Sequence, residues 1–121
     1  MRTNVETGRA GELAAARFLI AQGYRILERN VRFRTGEIDI VAREGGALVF
    51  VEVKTRTGSR FGAPAEAVTR AKQQQLVRLA QLYLTGHGPA DQSCRFDVVA
   101  VEPASRGGWT CTLFQNAFSA G

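Results

Sequence analysis

The sequence predicts a mixed α/β domain, and three observations support this fold class. Two segments, 9–22 and 65–84, carry apolar residues at helical spacing. Five shorter stretches alternate apolar with polar residues, as strands do, and glycine pairs separate two pairs of these stretches. The predicted order is α-β-β-β-α-β-β, a mixed central sheet with helices packed on its faces, within one domain over residues 1–121. The expected strands are 24–33, the two halves of 36–56, 94–101 and 109–114.

The first predicted helix, residues 9–22, carries a carboxylate at the border of its apolar side. Thr3 and Glu6 match a capping box that would open this helix, although Gly8 and Gly11 are expected to weaken its first turns. Glu12 is flanked on the helical wheel by alanines and a leucine. Either it is a partly exposed glutamate favoured by the helix dipole, or it belongs to a site on the neighbouring sheet.

Residues 36–56 form the most informative segment and predict a β-hairpin. Both halves alternate in polarity, and a glycine pair separates them. The second half places Val49, Val51 and Val53 on one face, while Phe50 on the other face is also apolar. A strand that is apolar on both faces is central in its sheet, so this hairpin is expected in the middle of the fold.

The register of the hairpin decides which side chains meet. With the turn centred on Glu44-Gly45, Asp39 is predicted opposite Phe50, and Glu37 opposite Glu52. Directly opposed residues point to the same face. That face would then carry a polar group consisting of Glu37, Asp39, Glu52 and Lys54. A slip of one residue would separate Asp39 from Glu52.

Three carboxylates and a lysine beside apolar side chains are costly to assemble. Close carboxylates repel one another, and partial burial increases the penalty. A hard divalent cation such as Mg²⁺ or Mn²⁺ relieves the repulsion, and the lysine can orient or deprotonate a water or neutralise a phosphate. The alternative is a hairpin edge whose charges only prevent aggregation, with Glu52 and Lys54 facing solvent. The apolar residues on both faces favour the cation site.

A family resemblance rests on these same residues. Asp39 is followed, thirteen residues later, by Glu52-Val53-Lys54, which resembles the D…(D/E)-x-K signature of restriction-endonuclease-like nucleases. The longer pattern GEIDIVA…LVFVEVKTR, with RFDVV later, is similar to the small bacterial YraN-type family of proposed endonucleases. Archaeal Holliday-junction resolvases resemble it more distantly. The resemblance covers nearly the whole chain and implies a restriction-endonuclease-like fold with a metal-dependent phosphodiesterase core.

The resemblance also implies roles for individual side chains. Asp39 and Glu52 would bind the cation, helped by the backbone carbonyl of Val53, and Lys54 would position or activate the attacking water. Related nucleases place a helix-borne glutamate beside the metal, so Glu12 is a third candidate ligand or a water-orienting base. Glu37 is a supporting or alternative ligand. The implied catalytic set is therefore Glu12, Asp39, Glu52 and Lys54.

Five basic residues are candidates for nucleic-acid contact. Arg32 and Arg34 belong to a dense basic stretch in the first strand, where solvated charges are the alternative. Arg56 and Arg60 lie in the loop directly after the hairpin, within reach of a backbone held at the metal. Lys72, in the second helix, occupies a position where the YraN-like pattern carries a lysine. An exposed helix lysine is the alternative there.

Composition indicates the kind of partner. Sixteen basic and eleven acidic side chains give a net charge of +5, which suits a polyanion such as nucleic acid, with a generic basic surface as the alternative. No run of eighteen apolar residues is present, so no membrane span is expected. The polar amino terminus lacks the apolar core of a signal peptide, and a cytoplasmic location is expected.

The last two strands carry residues for which structural roles are expected. Cys94 and Cys111 do not form a zinc set, and buried free thiols are predicted in preference to a disulfide. Asp97 is expected to hydrogen-bond structurally rather than to join the site. Trp109 is expected to pack at the core or edge, with base stacking as the alternative.

Three functions follow from this pattern. The first is a Mg²⁺- or Mn²⁺-dependent endonuclease or resolvase acting on branched or duplex DNA. A homodimer would suit junction cutting, since two symmetric strands need two sites. The second is a nucleic-acid-binding module of the same fold that cleaves nothing. The third is an interaction subunit that recruits a protein through its loop and strand edge.

Overall fold

The fold is seen in a computed structural model that describes residues 3–56, 68–88 and 92–120. Its elements occur in the predicted order, which is confirmed. They are α1 (Asn4–Ala21), β1 (Arg25–Phe33), β2 (Gly36–Glu44), β3 (Ala47–Thr55), α2 (Arg70–Leu84), β4 (Cys94–Pro103) and β5 (Trp109–Phe118).

The five strands form one mixed sheet in the order β1-β2-β3-β4-β5. All neighbours are antiparallel except β3 and β4, whose parallel pairing requires a crossover that contains α2. β3 lies in the middle and is buried on both faces, as its sequence predicts. One apolar cluster, which includes Val49 and Val51, packs beneath α1. A second, which includes Leu48 and Phe50, packs beneath α2.

Helix α1 begins at Asn4, directly after Thr3, so the predicted capping box opens the helix five residues before the alanine-rich segment that starts at residue 9. The Thr3 side chain accepts the Glu6 backbone N–H at 3.1 Å, and the Glu6 side chain reaches back, so the capping box is complete. This cap satisfies donors that a helix end otherwise leaves unpaired and offsets the cost of the early glycines. One of them, Gly11, has a packing role, because a Cβ there would overlap the Thr55 side chain. The close approach of α1 to β3 sets the position of Glu12.

The hairpin register differs from the prediction by two residues. The structure pairs Phe50 with Val41, so the predicted pairing of Phe50 with Asp39 is wrong. The reason is the turn: Gly45-Gly46 forms a two-residue loop with φ values of 57° and 85°, the left-handed conformation of a type I′ turn. A two-residue shift keeps the paired side chains on their predicted faces and carries Asp39 toward Glu52.

Strand alternation breaks at Asp39. The alternation expected along this strand would put Ile38 and Ile40 on one face, but Ile38 packs beneath α2 and Ile40 packs beneath α1. Opposite Asp39 in the β1–β2 register lies Asn30, whose φ of 55° is unusual for a residue within a strand. The two irregular positions therefore face each other where the acidic residues gather.

Helix α2 begins later than predicted. The predicted start at residue 65 lies outside the described residues, but Thr69 is extended, with φ −62° and ψ 161°, and acts as the N-cap of a helix that starts at Arg70. Its Oγ1 accepts the Lys72 backbone N–H at 3.2 Å. A capping side chain at this position fixes the beginning of the helix.

Strands β4 and β5 extend beyond their predicted ends at residues 101 and 114. β5 continues through a register shift at which Asn116, with φ 51°, donates its backbone N–H to Asp97 Oδ1 at 2.9 Å. Cys94 is exposed at the start of β4, so its predicted burial is wrong, whereas Cys111 is half-buried. Both thiols are free, as predicted. Trp109 packs against the cluster beneath α1.

Candidate metal and nucleic-acid site

Three carboxylates from two elements converge at the end of the sheet where β3 finishes. Glu12 on α1 and Glu37 and Asp39 on β2 each offer one oxygen, and these oxygens lie within 4.8 Å of one another. We call this group the carboxylate cluster. It unites two residues from the predicted metal set with Glu37, which the sequence ranks only as a supporting ligand.

Asn30 holds two members of the carboxylate cluster together. With its amide oriented to satisfy both carboxylates, the nitrogen donates to Glu12 Oε1 at 2.6 Å and to Glu37 Oε1 at 2.8 Å. Asn30 is not among the site residues predicted from the sequence. The only signal available is an asparagine inside a predicted strand, because asparagine adopts positive φ more readily than most residues.

Asp39 is the most strongly perturbed carboxyl of the site. Its Oδ2 accepts the backbone N–H of Val53 at 2.8 Å, which anchors it to β3. Burial, followed by a hydrogen bond with the Glu52 carboxyl and the charge of that group, raises the pKa of Asp39 to about 9. Two carboxyls that share a proton in this way can hold a cation in its place.

Glu52 contacts Asp39 but is absent from the group of three close oxygens. Its side chain is only 4% exposed, and its Oε2 lies 3.4 Å from Nζ of Lys72, which is 32% exposed. Lys72, predicted to contact nucleic acid, is therefore an ion-pair partner of a predicted metal ligand. Asp39 and Glu52 converge as the sequence predicts, and Lys72 on α2 completes the arrangement.

Lys54 lies two residues beyond Glu52 on β3 and is half-buried. Strand alternation gives it the same face as Glu52. Among the described residues Lys54 makes no ion pair. A half-buried lysine that pairs with no carboxylate among the described residues is suited to contact an incoming anion or water.

Burial also perturbs Glu12. Desolvation raises the pKa of Glu12, the neighbouring Glu37 raises it further, and the charge of Arg29 opposes the increase. A carboxylate with a raised pKa is a better proton acceptor than an ordinary one. Glu12 therefore combines a position in the cluster with the chemistry of a general base.

A groove of about 590 Å³ opens over the carboxylate cluster between α1 and β1. Its walls include Arg9, Arg29 and Arg32, with Glu12 and Asn30 also lining it. Arg32 is predicted to contact nucleic acid, and it reaches Glu37 Oε2 at 3.4 Å through Nε while remaining 74% exposed. A cluster of carboxylates surrounded by arginines is suited to binding a phosphate, with a metal ion between the carboxylates and the phosphate.

The remaining predicted basic residues are spread over several places. Arg34 is exposed in the turn between β1 and β2. Arg56 is half-buried, and its backbone N–H donates to the carbonyl of Val101 at 2.8 Å. Arg60 lies outside the described residues. Arg34 is therefore the freely exposed member of this group, and the contribution of the Arg56 side chain stays a prediction.

Asp97 has the structural role that the sequence favours. It is fully buried, and its Oδ2 accepts the Tyr24 hydroxyl at 2.6 Å. Arg95 Nε donates to Asp97 Oδ1 at 2.9 Å, and Gln115 donates to the Tyr24 hydroxyl at 2.9 Å. This network ties β5 and the start of β1 to β4.

The donor set fits a small divalent cation. Mg²⁺ and Mn²⁺ prefer carboxylate and water oxygens, and Mg²⁺ takes six of them at about 2.1 Å. Oxygens on one such ion are about 3 to 4 Å apart, so a spacing within 4.8 Å needs only small side-chain rotations. The Glu12, Glu37 and Asp39 side chains would hold it, with Glu52 beside Asp39.

Comparisons with known proteins match the chain to a protein family and to related proteins from other organisms. A family model described as uncharacterised protein family UPF0102 matches residues 11–101, a span that contains Glu12, Asp39, Glu52 and Lys72. The UPF0102 protein of Symbiobacterium thermophilum is 64% identical over 113 residues, covering 93% of this chain and 96% of that protein. That of Moorella thermoacetica is 54% identical over 99 residues, covering 82% of each. That of Frankia alni is 52% identical over 101 residues, covering 84% of each.

In the parts of the chain that the structure describes, neither helix is both long and apolar enough to cross a membrane.

Proposed function

The chain belongs to the uncharacterised protein family UPF0102, and we propose that it is a divalent-cation-dependent endonuclease that hydrolyses DNA phosphodiester bonds. The observation that carries this proposal is the convergence of Glu12, Glu37 and Asp39 within 4.8 Å, with Glu52 hydrogen-bonded to Asp39. Mg²⁺ or Mn²⁺ bound there would act as a Lewis acid on a phosphate oxygen and stabilise the charge that develops during hydrolysis.

The other residues of the site have roles that follow from their positions. Hydrolysis forms a bond between a water oxygen and phosphorus and breaks one bond from phosphorus to a sugar oxygen. The water must lose a proton, and Glu12, which lies in the carboxylate cluster, would accept it. Lys54 orients the water and neutralises charge on the phosphate. The leaving oxygen takes a proton from solvent.

The arginines of the groove account for substrate binding. Arg9, Arg29 and Arg32 line the groove over the carboxylate cluster, where guanidinium groups hold phosphates. Contacts of this kind recognise the backbone rather than the base sequence, and they weaken as salt rises. The substrate is therefore DNA bound largely without sequence preference.

The resemblance to restriction-endonuclease-like nucleases, and more distantly to Holliday-junction resolvases, supports the same reaction. Asp39 and the Glu52-Val53-Lys54 tripeptide lie on adjacent central strands. The α-β-β-β-α-β-β order is the one expected for that core. A homodimer that presents two such sites would be suited to symmetric branched DNA.

The test is an incubation of the protein with branched, single-stranded and duplex DNA in Mg²⁺ or Mn²⁺. We expect cleavage that is lost in Lys54→Ala while DNA binding is largely retained. Arg17→Ala is a matched control, because Arg17 is an exposed cation on α1 outside the groove. Cleavage that persists in Lys54→Ala, or its absence in the unaltered protein with every substrate, would refute the proposal.

The alternative proposed function is a nucleic-acid-binding module that does not cleave. It is favoured by the partners that the carboxylates already have, namely Asn30 for Glu12 and Glu37 and Lys72 for Glu52. Calorimetric titration of Mn²⁺ separates the two functions. Binding by the unaltered protein that is lost in Asp39→Asn supports the enzyme, whereas DNA binding with no Mn²⁺ binding supports the module.

A further inference from the structure

The outward face of α2 carries an evenly spaced row of polar side chains. Arg70, Gln74, Arg78 and Gln81 are all exposed and follow one another at intervals of four, four and three residues. Residues at this spacing lie on one side of a helix. We call this row the α2 ridge. It spans about 16 Å at a rise of about 1.5 Å per residue.

The α2 ridge contains hydrogen-bond donors and positive charge without any carboxylate. The whole of α2, RAKQQQLVRLAQLYL, has three cations and no acidic residue. By contrast, α1 carries Glu6 and Glu12. A donor-rich helix face with unopposed positive charge is complementary to a row of phosphates.

Surface shape sets the α2 ridge apart from its surroundings. A groove of about 820 Å³ on one side runs between α2 and Thr35, and one of about 600 Å³ on the other runs between α2 and the 118–120 segment. Arg78 and Gln81 border both grooves. The side chains of Arg78 and Gln81 therefore project between the two grooves, where a curved polymer backbone can contact them.

The first turn of α2, in which Arg70 begins the α2 ridge, also contacts the site through Lys72. Lys72, in the first turn of α2, places its Nζ 3.4 Å from Glu52, and Glu52 contacts Asp39. The turn of α2 that begins the ridge is therefore joined, through Glu52, to the residues of the proposed cation site. The groove lined by Arg9, Arg29 and Arg32 lies instead between α1 and β1.

We infer that the α2 ridge is a second nucleic-acid contact, which binds the phosphate backbone of DNA outside the segment held at the cation site. This inference rests on the proposed function and adds to it a substrate that extends well beyond the scissile phosphate. An axial length of about 16 Å corresponds to about five phosphates of one strand, at about 3.4 Å each. Arg70 and Arg78 supply the charge, and the two glutamines supply neutral donors.

The test compares two variants that each lose two positive charges. Arg70→Ala/Arg78→Ala removes the charge of the ridge. Arg17→Ala/Arg25→Ala removes two exposed arginines from α1 and the start of β1 and serves as the matched control. DNA affinity is measured by fluorescence anisotropy over a range of salt concentrations, with a long duplex and with a short oligonucleotide. Mn²⁺ affinity and the thermal midpoint are measured for each protein.

We expect the ridge variant to bind the long duplex at least tenfold more weakly, while its affinity for the short oligonucleotide and for Mn²⁺ is unchanged. Its slope of log affinity against log salt should fall by about 2, since each phosphate contact contributes about 0.9. Equal affinities of the ridge and control variants for the long duplex would overturn the inference and leave the proposed function standing. Failure of the unaltered protein to bind either DNA would overturn both.

Discussion

Nζ of Lys72 lies 3.4 Å from Oε2 of Glu52 and joins the first turn of α2 to the end of β3. Because Glu52 is 4% exposed, its charge has little water to stabilise it, and the lysine takes that role. The contact also links the core beneath α2 to the carboxylate cluster through Asp39. Lys72, predicted from the sequence to contact nucleic acid, therefore pairs with a predicted metal ligand.

The first prediction concerns this ion pair. Lys72→Met should lower the free energy of unfolding of the metal-free protein by about 2 kcal/mol, since it leaves a buried carboxylate without its partner. The double variant Glu52→Gln/Lys72→Met should recover most of the loss, because no buried charge remains. Urea unfolding at neutral pH measures both. A single variant as stable as the unaltered protein would show that the pair contributes nothing.

The second prediction concerns pH. Burial and the Glu52 carboxyl raise the pKa of Asp39 to about 9, above the value of about 3.9 in an unfolded chain. The folded state therefore holds this proton more tightly, and the resulting stability is present below pH about 4 and is lost as pH rises toward about 9. In the metal-free protein, Asp39→Asn should remove this contribution to the pH dependence. Urea midpoints between these limits, in the presence of a chelator, measure it.

If the Asp39→Asn variant retained the full slope of stability against pH, the assignment of that slope to Asp39 would be contradicted. Mn²⁺ must displace the proton held by Asp39, so the affinity of the protein for Mn²⁺ should increase with pH. Calorimetry in two buffers of different ionisation enthalpy should reveal proton release on binding. The control is Glu6→Gln, which changes an exposed carboxylate in the first turn of α1 outside the carboxylate cluster.

The order of elements and the central hairpin could be predicted because their signals are local. Alternation along residues 36–56 and the glycine pair fix a hairpin without knowledge of the rest of the chain. The exact register could not be predicted from the sequence, because Glu44-Gly45 and Gly45-Gly46 are both reasonable turns. Only the backbone angles distinguish them. The predicted register differs from the observed register by two residues, and a shift of two residues leaves each paired side chain on its predicted face.

The arrangement of the site depends on contacts between elements and was only partly predictable. The pairing of Lys72 with Glu52 requires α2 to lie over β3, and no local pattern specifies that distance. The bridge from Asn30 depends on a positive φ inside a strand, which alternation does not encode. The resemblance implies only a supporting role for Glu37, whereas the structure places one of its carboxylate oxygens within 4.8 Å of oxygens of Glu12 and Asp39.

The third prediction tests the bridge made by Asn30. Asn30→Gly retains the positive φ but removes the amide that joins Glu12 to Glu37, so it should destabilise the metal-free protein by about 1 kcal/mol. Mn²⁺ should stabilise this variant more than it stabilises the unaltered protein, because the cation takes over the role of the lost donor. Thermal midpoints with chelator and with Mn²⁺ measure the difference. Asn30→Ala adds backbone strain and should be less stable than Asn30→Gly.

The fourth prediction concerns the packing that positions Glu12. A Cβ on Gly11 would overlap the side chain of Thr55, a β-branched residue with few rotamers that could move it away. Gly11→Ala should therefore cost about 2 kcal/mol of stability through overpacking, despite the better helix propensity of alanine. Gly11→Ala/Thr55→Ala should recover part of the loss, because it removes the Oγ1 and Cγ2 atoms that clash while the Cβ of residue 55 stays close.

Displacement of α1 would also move Glu12 from Asp39, so Mn²⁺ affinity should fall in the single variant and recover in the double variant. Gly8→Ala is the matched control, since a Cβ at that position meets no atom within 4 Å, and it should leave Mn²⁺ affinity unchanged. Equal stability and equal Mn²⁺ affinity in Gly11→Ala and Gly8→Ala would show that the contact between α1 and β3 does not position Glu12.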